Sequence, residues 1–168
     1  MKAFFDDRQW QHDPQHFLSL GVVRPSPEQP ERIARLQAGV TAAGCEMRTP
    51  SDAGLTPIAA VHTPEYLHFL QTIHVRWQSL DGAGPEVIPN VHARCRTNSY
   101  PSSPVGQAGY HQADTACPIG PHTWDAAYWS AQCAIAGADV ICEGEWAAYA
   151  LCRPPGHHAF GDQAGGFC

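Results

Sequence analysis

Ala147-Ala148-Tyr149-Ala150-Leu151-Cys152-Arg153-Pro154-Pro155-Gly156-His157-His158-Ala159-Phe160 is an apolar run that stops at two prolines and delivers two adjacent histidines. The run from Trp146 to Cys152 has the length of a buried strand, although Val and Ile are absent from it. Pro154-Pro155 can continue neither a helix nor a β-ladder, because proline lacks the N–H and fixes φ. The stretch therefore predicts a strand over 146–152 with both histidines just past its carboxyl end. In open α/β sheets that is where ligands bind.

Two neighbouring imidazoles suit proton transfer. Histidine titrates nearest neutral pH, so one ring can accept a proton while the other carries charge. A bare His-His pair reads equally as two solvated residues in a loop. The rigid Arg153-Pro154-Pro155-Gly156 lead-in and the Gly165-Gly166-Phe167-Cys168 that follows shift the reading toward a site.

Cys152-Arg153-Pro154-Pro155-Gly156-His157-His158-Ala159, followed at this spacing by Gly165-Gly166-Phe167-Cys168, resembles the zinc-dependent deacetylases of the histone deacetylase and acetylpolyamine amidohydrolase superfamily. The resemblance implies a three-layer, parallel-sheet α/β fold of the arginase/deacetylase type, incomplete in this chain. It also implies hydrolysis of an acetylated amine, with zinc polarising the acetyl carbonyl and lowering the pKa of a bound water. Carried over residue by residue, His158 is the general base and acid, and His157 is its electrostatic and orienting partner. Gly166 offers its backbone carbonyl to the substrate amide N–H, and Phe167 forms one wall of a narrow apolar tunnel. The family's metal ligands are an Asp-x-His pair and a later Asp, and its oxyanion donor is a still later Tyr. No Asp-x-His occurs in this sequence, so no metal ligand is assigned here. The expectation is an N-terminal part of a single deacetylase domain of about double the length. Alone, it should bind zinc poorly, lack deacetylase activity and expose apolar edges through which it associates.

At 168 residues the chain fits one domain with a real core. Its 43% hydrophobic and 15% charged content reads as soluble and globular. A net charge of -6 and a pI near 5.9 argue against nucleic-acid or anionic-membrane partners and suit a small cationic amine. Cys45, Cys95, Cys117, Cys133, Cys142, Cys152 and Cys168 form no Cys-x-x-Cys pair and are odd in number, which predicts free thiols in a reducing, cytoplasmic setting. Met1 to Asp7 lacks the apolar core of a signal peptide, and no stretch approaches a membrane span.

Lys2-Ala3-Phe4-Phe5 predicts a first strand. Arg8 to Pro30, with prolines 14, 25, 27 and 30, predicts a long loop in which His12 and His16 are solvated. Ile33, Leu36 and Val40 predict a core-facing helix from Glu31, ended near Gly44. Pro27-Glu28-Gln29-Pro30-Glu31-Arg32-Ile33 also resembles the family's N-terminal signature. Thr63-Pro64-Glu65 marks a helix start, with Tyr66, Phe69, Leu70, Ile73 and Trp77 on one face. The six-residue steps between His62, His68 and His74 rotate too far for one metal face.

From Ser79 to Pro121 prolines and glycines predict a long insertion loop, with Arg94 and Arg96 within it. The resemblance implies that it builds a homodimer interface and narrows the entrance, with Tyr100, Val105 and Tyr110 as anchors. Asp114 falls where such deacetylases present a rim carboxylate and is the weaker substrate-binding candidate. Thr123-Trp124-Asp125 predicts a last helix capped by Thr123, with Trp124, Tyr128, Ala131, Ile135, Ala138 and Cys142 as its packing face.

Three functions compete with hydrolysis of small acetylated polyamines. One is deacetylation of acetyl-lysine on proteins, since Glu86 and Asp114 are few carboxylates for a polyamine rim. A second is a non-catalytic short product that dimerises through the insertion. The third is a cysteine hydrolase using Cys152 or Cys168, which lacks an activating context.

Overall fold

Ala3 and Phe5 face one way along the first strand and Phe4 the other, and this period-two alternation sets up the layers. The computed structural model describes residues 1–93, 96 and 99–168. In chain order the elements are β1 (Lys2–Phe4), a 3-10 turn (Asp7–Gln11), β2 (His16–Ser19), β3 (Val22–Pro25), α1 (Glu31–Ala42), β4 (Glu46–Arg48), α2 (Thr56–Ala59), α3 (Pro64–Gln78), α4 (Pro104–His111), α5 (Thr123–Cys142) and β5 (Ala148–Ala150). They fall into two compact units. The first comprises Met1–Asp13, Glu28–Ile58 and His122–Pro155, and the second Pro14–Pro27, Ala59–Pro121 and Gly156–Cys168.

The first unit is a parallel sheet of order β4-β1-β5 between two helices. Helix α1 places Ile33 and Val40 against Ala3, Phe5 and Leu151 on one face. Helix α5 places Cys133 and Val140 against Phe4 on the other, with Ala148 and Ala150 beside them. This is the helix–sheet–helix layering expected of an α/β fold. The strand predicted over 146–152 is shorter than expected and not buried: Trp146 is 87% and Tyr149 39% exposed. Among the described residues β5 pairs with β1 alone, so one side of it carries no ladder.

The packing face of α5 also differs from the expected stripe. Ala126, Cys133, Gly137 and Val140 are buried, whereas Trp124, Tyr128 and Ile135 are only half-buried and Ala138 and Cys142 are exposed. Small residues let the helix approach the sheet closely. A Cβ on Gly137 would stand 3.9 Å from the Cβ atoms of both Ala148 and Ala150. The N-cap is His122 rather than Thr123, whose hydroxyl instead meets the His12 ring.

In the second unit the expected features of α3 are all present. The Thr63 hydroxyl accepts from Tyr66 N–H, and Tyr66, Phe69, Ile73 and Trp77 enter a core with Val87, Ala108, Cys117, Ile119 and Ala164. The two predicted loops, however, hold structure. Within 8–30, β2 and β3 form an antiparallel hairpin turned by Leu20 and Gly21, whose φ values of 52° and 75° suit a two-residue primed turn. Within 79–121, Ser103 caps α4 by accepting from Gly106 N–H, and Val87 and Ile119 pair across the segment. Val105 packs on the core, and the Tyr100 and Tyr110 rings meet at 5.3 Å. Among the described residues, no helix is long and apolar enough to cross a membrane. Six cysteines are free thiols, while Cys95, like Arg94, lies outside the described residues.

Candidate active site

Arg153, buried to 2%, fixes the chain ahead of the histidines within the first unit. Its N–H donates to Gln9 Oε1 at 2.5 Å, and its guanidinium donates to the Gln9 carbonyl at 3.0 Å and to Glu28 Oε1 at 3.1 Å. A second guanidinium nitrogen lies 2.7 Å from Glu28 Oε2. Burial lowers the Arg153 pKa and raises that of Glu28, with the attraction of each for the other opposing both shifts. The Pro154 carbonyl accepts from Ser130 Oγ at 3.0 Å. Two prolines alone would stiffen this lead-in; the buried ion pair tethers it.

His12 belongs to the same cluster, contrary to the solvated role expected of it. Its Nδ1 lies 3.1 Å from Thr123 Oγ1 and its Nε2 4.0 Å from Glu28 Oε2. Burial, reinforced by the Arg153 charge, pushes its pKa down to about 3. His16 in β2 is half exposed beside Glu86, at 3.4 Å.

All five site candidates lie in the second unit. The His157 and His158 rings are exposed, with centroids 4.3 Å apart and planes at 47°. His158 N–H donates to Cys168 Sγ at 3.4 Å, and Cys168 Sγ lies 4.0 Å from His157 Nδ1. Gly165 and Cys168 exchange main-chain hydrogen bonds of 3.0 and 2.9 Å, closing a turn over Gly166 and Phe167. Both turn residues adopt positive φ, 53° and 68°. Glycine at 166 has a second cause: a Cβ there would lie 2.8 Å from His158 Cδ2. The His158 ring thus rests on the Gly166 α-carbon.

Asp114 supports this turn. Its Oδ2 accepts from Gly166 N–H and its Oδ1 from Ala116 N–H, each at 2.8 Å. The Phe167 ring meets Phe17 of β2 edge-on at 5.6 Å. Phe17 was not singled out from sequence, because its neighbours read as a proline-rich loop. Its strand is held from both ends: Leu18 and Thr115 exchange hydrogen bonds of 3.2 and 2.7 Å, and Glu86 accepts from the N–H groups of Gln15 and His16 at 2.8 and 3.1 Å. Both candidate rim acids, Glu86 and Asp114, therefore already bind main-chain N–H groups.

The geometry offers two adjacent accessible imidazoles, a main-chain turn whose α-carbon touches one of them, and an aromatic pair beside that turn. Such a set can move a proton and hold an amide next to it. Among the described residues no group of three or more His, Cys, Asp or Glu side chains could hold a metal ion, so the residues described here do not fit a zinc centre.

Residues 26–168 match the histone deacetylase domain. The chain is 48% identical to the acetylpolyamine amidohydrolase of Burkholderia pseudomallei over 169 residues, covering 100% of this chain and 49% of that protein. It is 36% identical to acetylpolyamine amidohydrolase 1 of Pseudomonas aeruginosa, again covering 100% of this chain and 49% of the relative. The crystal structure of the acetylpolyamine aminohydrolase from Burkholderia pseudomallei superposes with a TM-score of 0.96 at 47% identity, over 100% of this chain and 49% of that one. The chain thus spans about half the length of the curated relatives it matches. On this match, and on the arginase/deacetylase-type layering around its sheet, the chain belongs to the histone deacetylase family.

Proposed function

We propose that the whole protein is an amidohydrolase that removes acetyl groups from small acetylated amines, and that this chain carries its acid/base pair and part of its substrate tunnel. The observation that carries the reading is the contact between the His158 ring and the Gly166 α-carbon, with His157 adjacent. It supports a reading in which His158 transfers protons next to a substrate amide held by Gly166. Similarity to two proteins named as acetylpolyamine amidohydrolases supports the choice of substrate class.

In this reading His158 takes the proton of the attacking water as the new C–O bond forms at the acetyl carbon. The imidazolium returns that proton to the amine nitrogen as the C–N bond breaks, releasing acetate and free amine. His157, 4.3 Å away, orients the ring and tunes its charge. The Gly166 carbonyl accepts the substrate amide N–H, and Phe167 with Phe17 flanks the methylene chain. A carboxylate has more acceptor sites than the two N–H groups Asp114 now serves, which leaves room for a substrate N–H at the rim. Zinc, as the family resemblance implies, would supply Lewis-acid activation of the acetyl carbonyl, from ligands other than those described here.

Acetylputrescine turned over faster than an acetyl-lysine peptide by the whole protein is the expected result. His158→Ala should lower kcat by about 10²–10⁴-fold, and an unchanged rate would overturn the assignment. The 168-residue chain alone should release no fluorophore from an acetylated fluorogenic lysine; chelator-sensitive release would refute that. Deacetylation of proteins is the second reading, favoured by Glu86 and Asp114 being few carboxylates for a polyamine rim, both of them already engaged with main-chain N–H groups. The homodimer through 79–121 belongs to the same proposal, as does a cytoplasmic location, which the free thiols support.

A further inference from the structure

His111, in α4, is fully buried and far in sequence from the histidine pair, yet both its side chain and its main chain are bonded to the loop that follows that pair. Its ring sits among Tyr66, Phe69, Tyr100 and Tyr110, with centroids 4.7–5.5 Å away. Nδ1 lies 2.8 Å from the Asp162 carbonyl, and Nε2 lies 2.9 Å from the Tyr100 hydroxyl. A carbonyl can only accept, so Nδ1 carries the hydrogen and Nε2 accepts from Tyr100. A neutral imidazole of this one tautomer satisfies both partners inside an aromatic cage.

The main chain extends the same connection. The His111 carbonyl accepts from Ala164 N–H at 2.8 Å, and Ala113 N–H donates to the Ala164 carbonyl at 2.8 Å. Gln112 and Ala164 form a parallel bridge, and Phe167 N–H donates to the Ala116 carbonyl at 3.2 Å. Segment 111–116 is therefore a template along which 162–167 is laid. The Asp162 carboxylate is held separately by Arg96 at 2.7 Å. His111 is the member of this template that grips the loop before the Gly165–Cys168 turn begins, and so it sets where that turn meets the His158 ring.

We infer that His111 is a positioning residue for the His158–Gly166 pair, acting through Asp162 and Ala164 rather than by touching substrate. The inference rests on the proposed function for its relevance to hydrolysis, but its geometric content stands apart from it. His111→Phe keeps a ring in the cage and removes both side-chain hydrogen bonds. His111→Asn restores a donor near the place of Nδ1.

In the whole protein, NMR should show a cross-peak between His158 Hδ2 and Gly166 Hα, together with slowed amide exchange at Ala164 and Gly166. In His111→Phe the cross-peak should vanish and those two amides should exchange about tenfold faster or more, while α3 amides hold their rates. His111→Asn should recover both signals. A cross-peak and exchange rates untouched by His111→Phe would overturn the inference, as would a His111→Asn variant no better than His111→Phe. If His111→Phe also loosens α3, His111→Asn against the parent decides, retention of the cross-peak supporting and its loss refuting. In the whole protein, kcat should fall about 10- to 100-fold in His111→Phe with KM unchanged and recover in His111→Asn; a released loop with full kcat would refute the link to hydrolysis. A whole protein that hydrolyses no acetylated amine would overturn the proposed function, while the loop measurements still decide the role of His111.

Discussion

Burial among Glu28, Arg153 and Thr123 holds His12 neutral, with its pKa pushed from 6.5 down to about 3. The unfolded chain takes up this proton as pH falls below 6.5, whereas the folded chain does not until near 3. Stability from this group is therefore full above 6.5 and is lost progressively as pH falls toward 3, by on the order of 5 kcal/mol in total. Denaturant titrations at stepped pH should show a shallower loss between pH 6 and 4 for His12→Asn than for the parent; equal slopes would exclude His12 as the source. Gly166→Ala should cost about 1–3 kcal/mol, combining left-handed backbone with the close approach of the His158 ring. Thermal melting of that variant checks the prediction. The position of His157 and His158 in a turn beyond β5 was legible because prolines and glycines around them are local signals. His12 was misread because Thr123 and Arg153, which bury it, are more than a hundred positions away.

Helix α5 shows the limit of periodicity at the level of a whole element. Its aromatic stripe has the right spacing, yet the helix packs through Ala126, Cys133 and Gly137. Close helix–sheet approach rewards small side chains, and a periodic pattern of large apolar residues does not report distance. Gly137→Ala should fit, since its new Cβ meets Ala148 and Ala150 at ordinary contact distance, and should raise stability by about 0.5–1 kcal/mol through helix propensity. Gly137→Leu should lower it by about 1–3 kcal/mol by overpacking. Paired melting curves test the two signs, and a destabilised Gly137→Ala would contradict this packing. The cap at Thr63 and the core face of α3, by contrast, were readable in advance, because both are set within one or two turns of chain.

For the chain as a whole, a side of β5 that carries no ladder among the described residues, together with exposed Trp146 and Tyr149, predicts self-association. Sedimentation should show a mass that rises with concentration, and Tyr149→Lys should suppress that rise; a strictly monomeric parent would refute it. The order of amino acids was enough to establish the His157-His158 and Gly165–Cys168 motif, the α/β class and the capped start of α3, since each depends on neighbours a few residues apart. Folding in three dimensions was needed to pair Arg153 with Glu28, to turn Asp114 toward Gly166, to set Phe17 against Phe167 and to choose the buried side of α5. These features depend on contacts between distant segments, whose free energy comes from mutual burial and hydrogen bonding that no single stretch of chain encodes.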